Sequence, residues 1–416
     1  MSGKRSLWRH RDFVLLWSGQ SASMLGSEVT LLALPLVAGV VLGASPFEMG
    51  VVAAARKLPV LFVSLPAGAL ADRWRKRPVM ICTHLIAGTA MVSIPVAGMF
   101  DGLTLGQLYA VAAVAGICET LFNPVYQSYP LIVLGPDRLV EGNAKLSLAM
   151  TGAMTVGASL GGVLVDLVGA VRAMLADAIS FFVAALAIWS IRTPEPKPEP
   201  KPDARMWKEI AEGLRYVYTN RLIRPIAVSG PIFSFTLAGT NALGIIYATQ
   251  ELRWPPYVTG LVLGLSSLGG VLGGLLAHRV IARLGIARTV LWSSLVYAVG
   301  DFPLVLVSPG LAGAIVVGAG WTVLLVGAIL VQISQRSLRQ LITPSDLQGR
   351  LAATTRWLSW GSAPLGALLA GAVAEVIGMR MTLLAAAILV GLGPLTLWLS
   401  PLRTMKQDPV VATGVT

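Results

Sequence analysis

Twelve apolar runs, each about long enough to cross the hydrocarbon core of a bilayer, leave this chain few folds to choose from. They lie at roughly 13–42, 48–71, 78–99, 105–133, 143–166, 171–191, 223–249, 259–282, 289–306, 312–339, 351–376 and 381–400. With no water in the bilayer core, each run must satisfy its own backbone amides, so each is expected to be an α-helix. Charged residues are only 12% of 416, about half the share of a soluble domain, and the mean hydropathy is +0.74. The first run is about twice the length of a signal-peptide core, so it is expected to be a retained span.

The net charge of +12 raises the question of nucleic acid, and its distribution answers it. Most Lys and Arg fall in every second interval between the runs, the positive-inside pattern of a multi-pass membrane protein, and no nucleic-acid partner is expected. Twelve crossings with the basic arm 1–12 inside put both termini in the cytoplasm. The expected location is a bacterial plasma (inner) membrane. Cys82 and Cys118 are the only cysteines, and the three histidines are scattered, so no metal site and no cofactor are expected. No nucleophile–base pair or phosphate-binding glycine loop stands out, which argues against an enzyme. Nothing resembles a channel selectivity filter either.

A polar interval at 192–222 divides the spans six and six. The expected domains are a bundle over 1–191, a cytoplasmic linker over 192–222 and a second bundle over 223–416. The linker opens with Thr193-Pro-Glu-Pro-Lys-Pro-Glu-Pro-Lys-Pro202, an extended polyproline II tether. It continues with Trp207, Ile210, Leu214, Val217 and Tyr218 on one helical face, an amphipathic helix for the inner membrane surface, or else a solvated connector. The halves echo each other. Gly135 to Leu139 answers Thr343 to Leu347, Leu160 to Leu164 answers Leu365 to Leu369, and Gly169 to Arg172 answers Gly378 to Arg380. The separation stays at about 205–209 residues, as a parallel six-plus-six repeat requires.

One loop is particular. Pro66-Ala-Gly68-Ala-Leu-Ala-Asp72-Arg73-Trp74-Arg75-Lys76-Arg77-Pro78 packs an acid and four cations into a turn between spans 2 and 3. Gly68 would admit a neighbouring helix closely, and Asp72 could face another helix N-terminus. These residues resemble the major facilitator superfamily pattern G-x-x-x-D-R-x-G-R-R/K. Gly68, Asp72, Arg73, Lys76 and Arg77 match, and Arg75 replaces a Gly. In span 5, Gly157-Ala158-Ser159-Leu160-Gly161-Gly162 resembles the antiporter pattern G-P-x-x-G-G with Ala158 for Pro. Span 4 holds no Arg, so the arginine motif associated with proton coupling is missing. Leu16-Trp17-Ser18-Gly19-Gln20, Asn123-Pro124, Asp177-Ala-Ile-Ser180-Phe181-Phe182, Leu338-Arg339-Gln340, Gly349-Arg350 and Pro364-Leu-Gly366 resemble the branch that includes the enterobactin exporter and macrolide-efflux proteins.

This resemblance implies an all-α polytopic membrane protein with twelve transmembrane helices in two pseudo-symmetric six-helix bundles. It implies alternating access about a cavity lined by spans 1, 4, 7 and 10, with the loop motif as a conformational gate. Gly157, Gly161 and Gly162 would form a helix-packing row, either a sliding contact or a static one. The expected partners are the lipid bilayer, a small amphiphilic substrate and a proton, with the protein acting as a monomer.

Helical rise gives depth independently of family. Glu28, Arg56, Glu119 and Asp177 each lie about 22–24 Å from the inner end of their spans, one shared level near the midplane. Charge there is expensive unless paired or facing water. Glu28 and Glu119 are expected to face the cavity as proton-coupling acids, with Arg56 partnering one of them; a permanent Glu28–Arg56 ion pair is the structural alternative. Burial favours a neutral carboxyl and a neighbouring guanidinium a charged one. Asp177 and Asp301 are expected to be structural. Uncharged candidates for the substrate cavity are Trp17, Asn123, Tyr126, Gln127, Phe233, Phe235, Asn241, Tyr247, Trp321, Gln332 and Gln335. Such a mixed lining suits a bulky amphiphile. The expected function is a secondary-active exporter, proton-driven, with an uptake carrier of the same fold as its nearest rival.

Overall fold

The computed structural model describes residues 6–64, 67, 74–196 and 206–405, and among them every regular element is a helix. The first half comprises α1 (Arg11–Leu36, widening into a π-turn at Val37–Val41), α2 (Pro46–Lys57), α3 (Lys76–Met99), α4 (Leu105–Leu134), α5 (Leu139–Val168) and α6 (Ala170–Trp189). Then come α7 (Met206–Thr219), α8 (Ile223–Gln250), α9 (Pro256–Ser266), α10 (Leu268–Leu284), α11 (Ile286–Val299), α12 (Phe302–Leu306), α13 (Leu311–Ile342), α14 (Ser345–Ile377), α15 (Met379–Leu389) and α16 (Leu392–Trp398). Eleven continuous helical stretches among the described residues are long and apolar enough to cross a membrane. The second apolar run supplies α2, a turn at Leu58 and further helix over 59–64. The chain is an all-α multi-pass membrane protein whose helices leave large apolar side chains bare: Leu148, Leu167, Leu275 and Val376 are all highly exposed.

Local chemistry explains where the helices begin and turn. His10 Nδ1 accepts from Phe13 N to start α1, Thr104 Oγ1 accepts from Gln107 N to start α4, and Asn220 Oδ1 accepts from Ile223 N to start α8. The turn from α5 to α6 uses Gly169 at φ 83°, ψ 155°, and the turn from α14 to α15 uses Gly378 at φ 81°, ψ 160°. Positive φ there strains any residue with a Cβ, and the two turns share one geometry across the internal repeat. Pro35, two residues before the π-turn, has no amide to donate, and the helix loosens where that bond is missing.

The chain forms two compact units. One holds Met1–Ala44, Ala55–Ala204 and Pro255–Gly264; the other holds Ser45–Ala54, Arg205–Trp254 and Leu265–Thr416. In the first, α1 packs on α5 and α6, and α3 packs on α4 and α6. Its core gathers Leu16, Met80, Phe122, Val125, Tyr129 and Ile188. In the second, α8 packs on α14, and α13 on α10 and α11. The repeat is visible within each unit: Gly161 of α5 admits the backbone of Val29 on α1, as Gly366 of α14 admits the backbone of Phe235 on α8.

Gly68, Asp72 and Arg73 of the loop motif lie outside the described residues, as does most of the Pro-rich tether. Lys76 and Arg77 open α3. Their backbone amides donate to the Glu195 carboxylate, which neutralises the positive end of that helix, and Arg77 also donates to the carbonyls of Ile188 and Trp189. The amphipathic helix α7 forms where expected. It packs on α14 rather than lying on the surface alone: Val217 is buried against Ile223, Ala227 and Leu351, Tyr216 donates to the carbonyl of Ile342, and Glu212 pairs with Arg350. Tyr218 is exposed.

Candidate functional site

A cavity of about 320 Å³ opens inside the first unit, and its walls follow from helical periodicity. Gln20, Ser23, Met24, Ser27, Glu28 and Leu31 form one continuous face of α1. Ala115, Cys118, Glu119, Phe122 and Asn123 are the facing stripe of α4, and Thr83, His84, Ala87 and Met91 that of α3. Arg56 enters from α2, Met150 and Met154 from α5, and Phe181 from α6.

Glycines set the helix rotations that bring these faces together. A Cβ on Gly116 of α4 would lie 3.2 Å from Arg56 Cα, so the bare glycine lets α2 press against α4 one turn from Glu119. A Cβ on Gly157 would lie 2.9 Å from Glu28 Cβ, and one on Gly161 3.0 Å from Val29 Cα. Two members of the predicted glycine row therefore seat α1 on α5 at Glu28. Gly162 faces another way, where a Cβ would lie 2.9 Å from Gly260 Cα of α9. In lipid, such close van der Waals contact is the main attraction between helices.

The charged end of the cavity divides its acids unequally. Arg56 Nε lies 3.4 Å from Glu119 Oε2, and Lys57 Nζ 3.5 Å from Glu119 Oε1. Glu119 thus holds two cations. Glu28 lines the same cavity and has no hydrogen bond or ion pair among the described residues. The expected Arg56 partnership falls to Glu119, and the Glu28–Arg56 ion pair does not form. Asp177 is 1% exposed on α6, and accepts from Thr30 Oγ1 at 2.6 Å, Ser180 Oγ at 3.3 Å and Ser27 Oγ at 3.5 Å. It ties α6 to α1 at Ser27 and Thr30, one residue before Glu28 and two residues after it. These contacts place Arg56 beside Glu119, and Asp177 beside the turn of α1 that carries Glu28.

The remaining candidates are divided between the two units. Asn123 lines the cavity, and Tyr126 stacks on Phe122 at 5.4 Å. Gln127, Asn241 and Gln332 are exposed, and Tyr247 is fully buried. Trp17 donates to the Lys145 carbonyl at 3.2 Å and meets Trp8 edge-on at 5.0 Å. In the second unit, Phe233 meets Tyr297 edge-on at 4.8 Å, Trp321 hydrogen-bonds Asp301, and Gln335 Nε2 donates to Ser229 Oγ at 3.4 Å. Phe235 gives its backbone to the Gly366 contact. Gln20, His84, Phe122 and Phe181 are cavity residues that the sequence reading missed. Extending the Glu28 face of α1 back by three and four residues at a time reaches Gln20, a signal available without coordinates.

A family model described as transmembrane secretion effector matches residues 3–414. The multidrug efflux pump Tap of Mycolicibacterium fortuitum is 25% identical over 403 residues, spanning 91% of this chain and 93% of that protein. Tap of Mycobacterium tuberculosis (strain ATCC 25618 / H37Rv) is 27% identical over 409 residues, 95% of each. Among solved structures, the nucleoside transporter NupG superposes with a TM-score of 0.78 at 13% identity, covering 95% of this chain and 100% of that one. A bacterial homologue of the lysosomal transporter Spinster superposes with a TM-score of 0.71 at 14% identity, covering 96% and 98%.

Proposed function

Because the chain belongs to the transmembrane secretion effector family of the major facilitator superfamily, whose members are transporters rather than enzymes, we propose that it is a secondary-active exporter of amphiphilic small molecules. The observation that carries the direction of transport is likeness to multidrug efflux pumps along nearly the whole chain. In this reading the protein resides in a bacterial plasma membrane with both termini cytoplasmic. Bundles over 1–191 and 223–416, joined by the linker 192–222, expose the passage to each side in turn. The loop-motif residues Gly68, Asp72, Arg73, Lys76 and Arg77 serve as the gate.

Proton exchange drives the cycle, and the unequal acids support that assignment. Glu119 pairs with two cations, whereas Glu28 stands in the cavity with no ion pair of its own. A carboxyl free of a fixed cation can take up a proton at one face and release it at the other. Arg56, engaged by Glu119, keeps a positive field near Glu28 without neutralising it. A proton moving inward supplies about 2.3 kcal/mol per 100 mV, plus any pH difference.

The test is transport of a lipophilic dye in inverted vesicles energised by a pH gradient. Glu28→Gln is expected to abolish the response to the gradient while leaving downhill exchange intact. Glu119→Gln is expected to slow both by freeing two cations. Full gradient-driven flux in both variants removes these acids from the coupling role. Flux only in right-side-out vesicles makes the protein an uptake carrier.

A further inference from the structure

The end of the first-unit cavity away from Glu28 holds two polar atoms with no partner. Gln20 is 8% exposed and His84 4% exposed, and Gln20 Oε1 and His84 Nε2 are both buried without a hydrogen bond. Both residues line the same cavity. Leu16 and Met80 share a core cluster, and Gln20 and His84 follow them by one turn each on α1 and α3. The two orphan atoms therefore occupy one level, about 12 Å along α1 from Glu28. Buried polar groups are almost always hydrogen-bonded, because an unmade bond leaves the full cost of desolvation. Two exceptions facing one cavity point to something that completes them.

The surroundings define what that something is. The His84 imidazole lies between Phe122, at 4.6 Å, and Phe181, at 5.6 Å, and both rings also line the cavity. Tyr126 stacks behind Phe122, and Met24, one turn from Gln20, and Met91, two turns from His84, add thioethers to the same cavity wall. Aromatic rings and thioethers favour a flat, polarisable ligand. Gln20 Oε1 demands a donor, and His84 Nε2 accepts or donates according to its tautomer.

We propose that Gln20 and His84, with the rings of Phe122 and Phe181, form a binding subsite for a planar aromatic compound that carries exocyclic amino N–H donors on its edge. Calling that compound a transported substrate rests on the export reading; the subsite itself does not. The site is separate from Glu28, so recognition and coupling occupy opposite ends of one cavity. A ligand bound here reaches toward Glu28 along α1 without displacing the Arg56–Glu119 pair.

The test uses full-length purified protein in detergent and two acridine dyes. Proflavine carries exocyclic amino groups, and acridine orange has the same ring and charge with those groups fully methylated. Fluorescence polarisation is expected to show proflavine binding weakened roughly tenfold by Gln20→Leu and by His84→Phe, the loss of one buried hydrogen bond each. His84→Gln, which keeps a hydrogen-bonding group, is expected to retain most of the affinity. Acridine orange is expected to bind Gln20→Leu as it binds the wild type. Thermal unfolding identifies a variant that fails to fold; if His84→Phe does so, Gln20→Leu decides.

Proflavine affinity unchanged in the variants overturns the proposal. So does an equal loss for both dyes, or no binding of either to the wild type. Gradient-driven flux, measured after the same preparation is reconstituted into sealed lipid vesicles, separates the two readings. Flux that needs Glu28 without this binding pattern sinks the subsite alone. The binding pattern without any flux sinks the export reading alone.

Discussion

Asp177 shows how one residue can be expensive and stabilising at once. Its carboxylate is 1% exposed at membrane depth and is tolerated because hydroxyls of Thr30, Ser27 and Ser180 donate to it. Asp177→Ala would leave the fully buried Thr30 without that acceptor, and is expected to cost about 1–3 kcal/mol, read as a lower unfolding temperature in detergent. Asp177→Asn keeps an acceptor and is expected to lose less than half as much. Neither should abolish gradient-driven flux, since Asp177 lines no part of the cavity. The depth of Asp177, Glu28, Arg56 and Glu119 could be counted from helical rise, which is the same in every α-helix. Their partners could not. Glu28 and Glu119 lie at one depth, yet Arg56 and Lys57 both reach Glu119, because Gly116 brings α2 against α4.

Among elements, the glycine row of α5 decides where α1 rests. Gly157 and Gly161 touch Glu28 and Val29, whereas Gly152 has nothing within 4 Å of an added Cβ. Gly157→Val is expected to push α1 away from α5, destabilise the protein by about 1–3 kcal/mol and displace Glu28, with gradient-driven flux falling more than binding. Gly152→Ala is expected to change neither unfolding temperature nor flux. If the two variants behave alike, close packing at Gly157 does not position Glu28. The row was legible as spacing, but Gly162 differs from its neighbours. It faces Gly260 of α9, a contact with a segment almost a hundred residues away that no local pattern indicates. The helix α7 carries a similar lesson. Its amphipathic face was readable, whereas its seat on α14 through Val217 and the Glu212–Arg350 pair required the fold.

For the whole molecule, charge asymmetry predicts the topology. Most Lys and Arg occupy the segments assigned to the inside, so a fluorescent reporter fused at either terminus is expected to fold and glow, and alkaline phosphatase at either terminus to stay inactive. A phosphatase fusion within 100–104, between α3 and α4, is expected to be active. An active phosphatase at a terminus would reverse the orientation and, with it, the direction in which Glu28 meets protons.

Span number, span length and the two-fold repeat were set by the sequence alone, because each depends on local quantities: apolar run length, loop charge and recurring glycine turns such as Gly169 and Gly378. Tertiary structure decided which face of each helix lines the cavity and which acid keeps a cation. Those outcomes depend on the rotation of each helix about its own axis. Contacts between distant glycines and backbones set that rotation, and the approach of α2 at Gly116 leaves Arg56 paired with Glu119 rather than with Glu28.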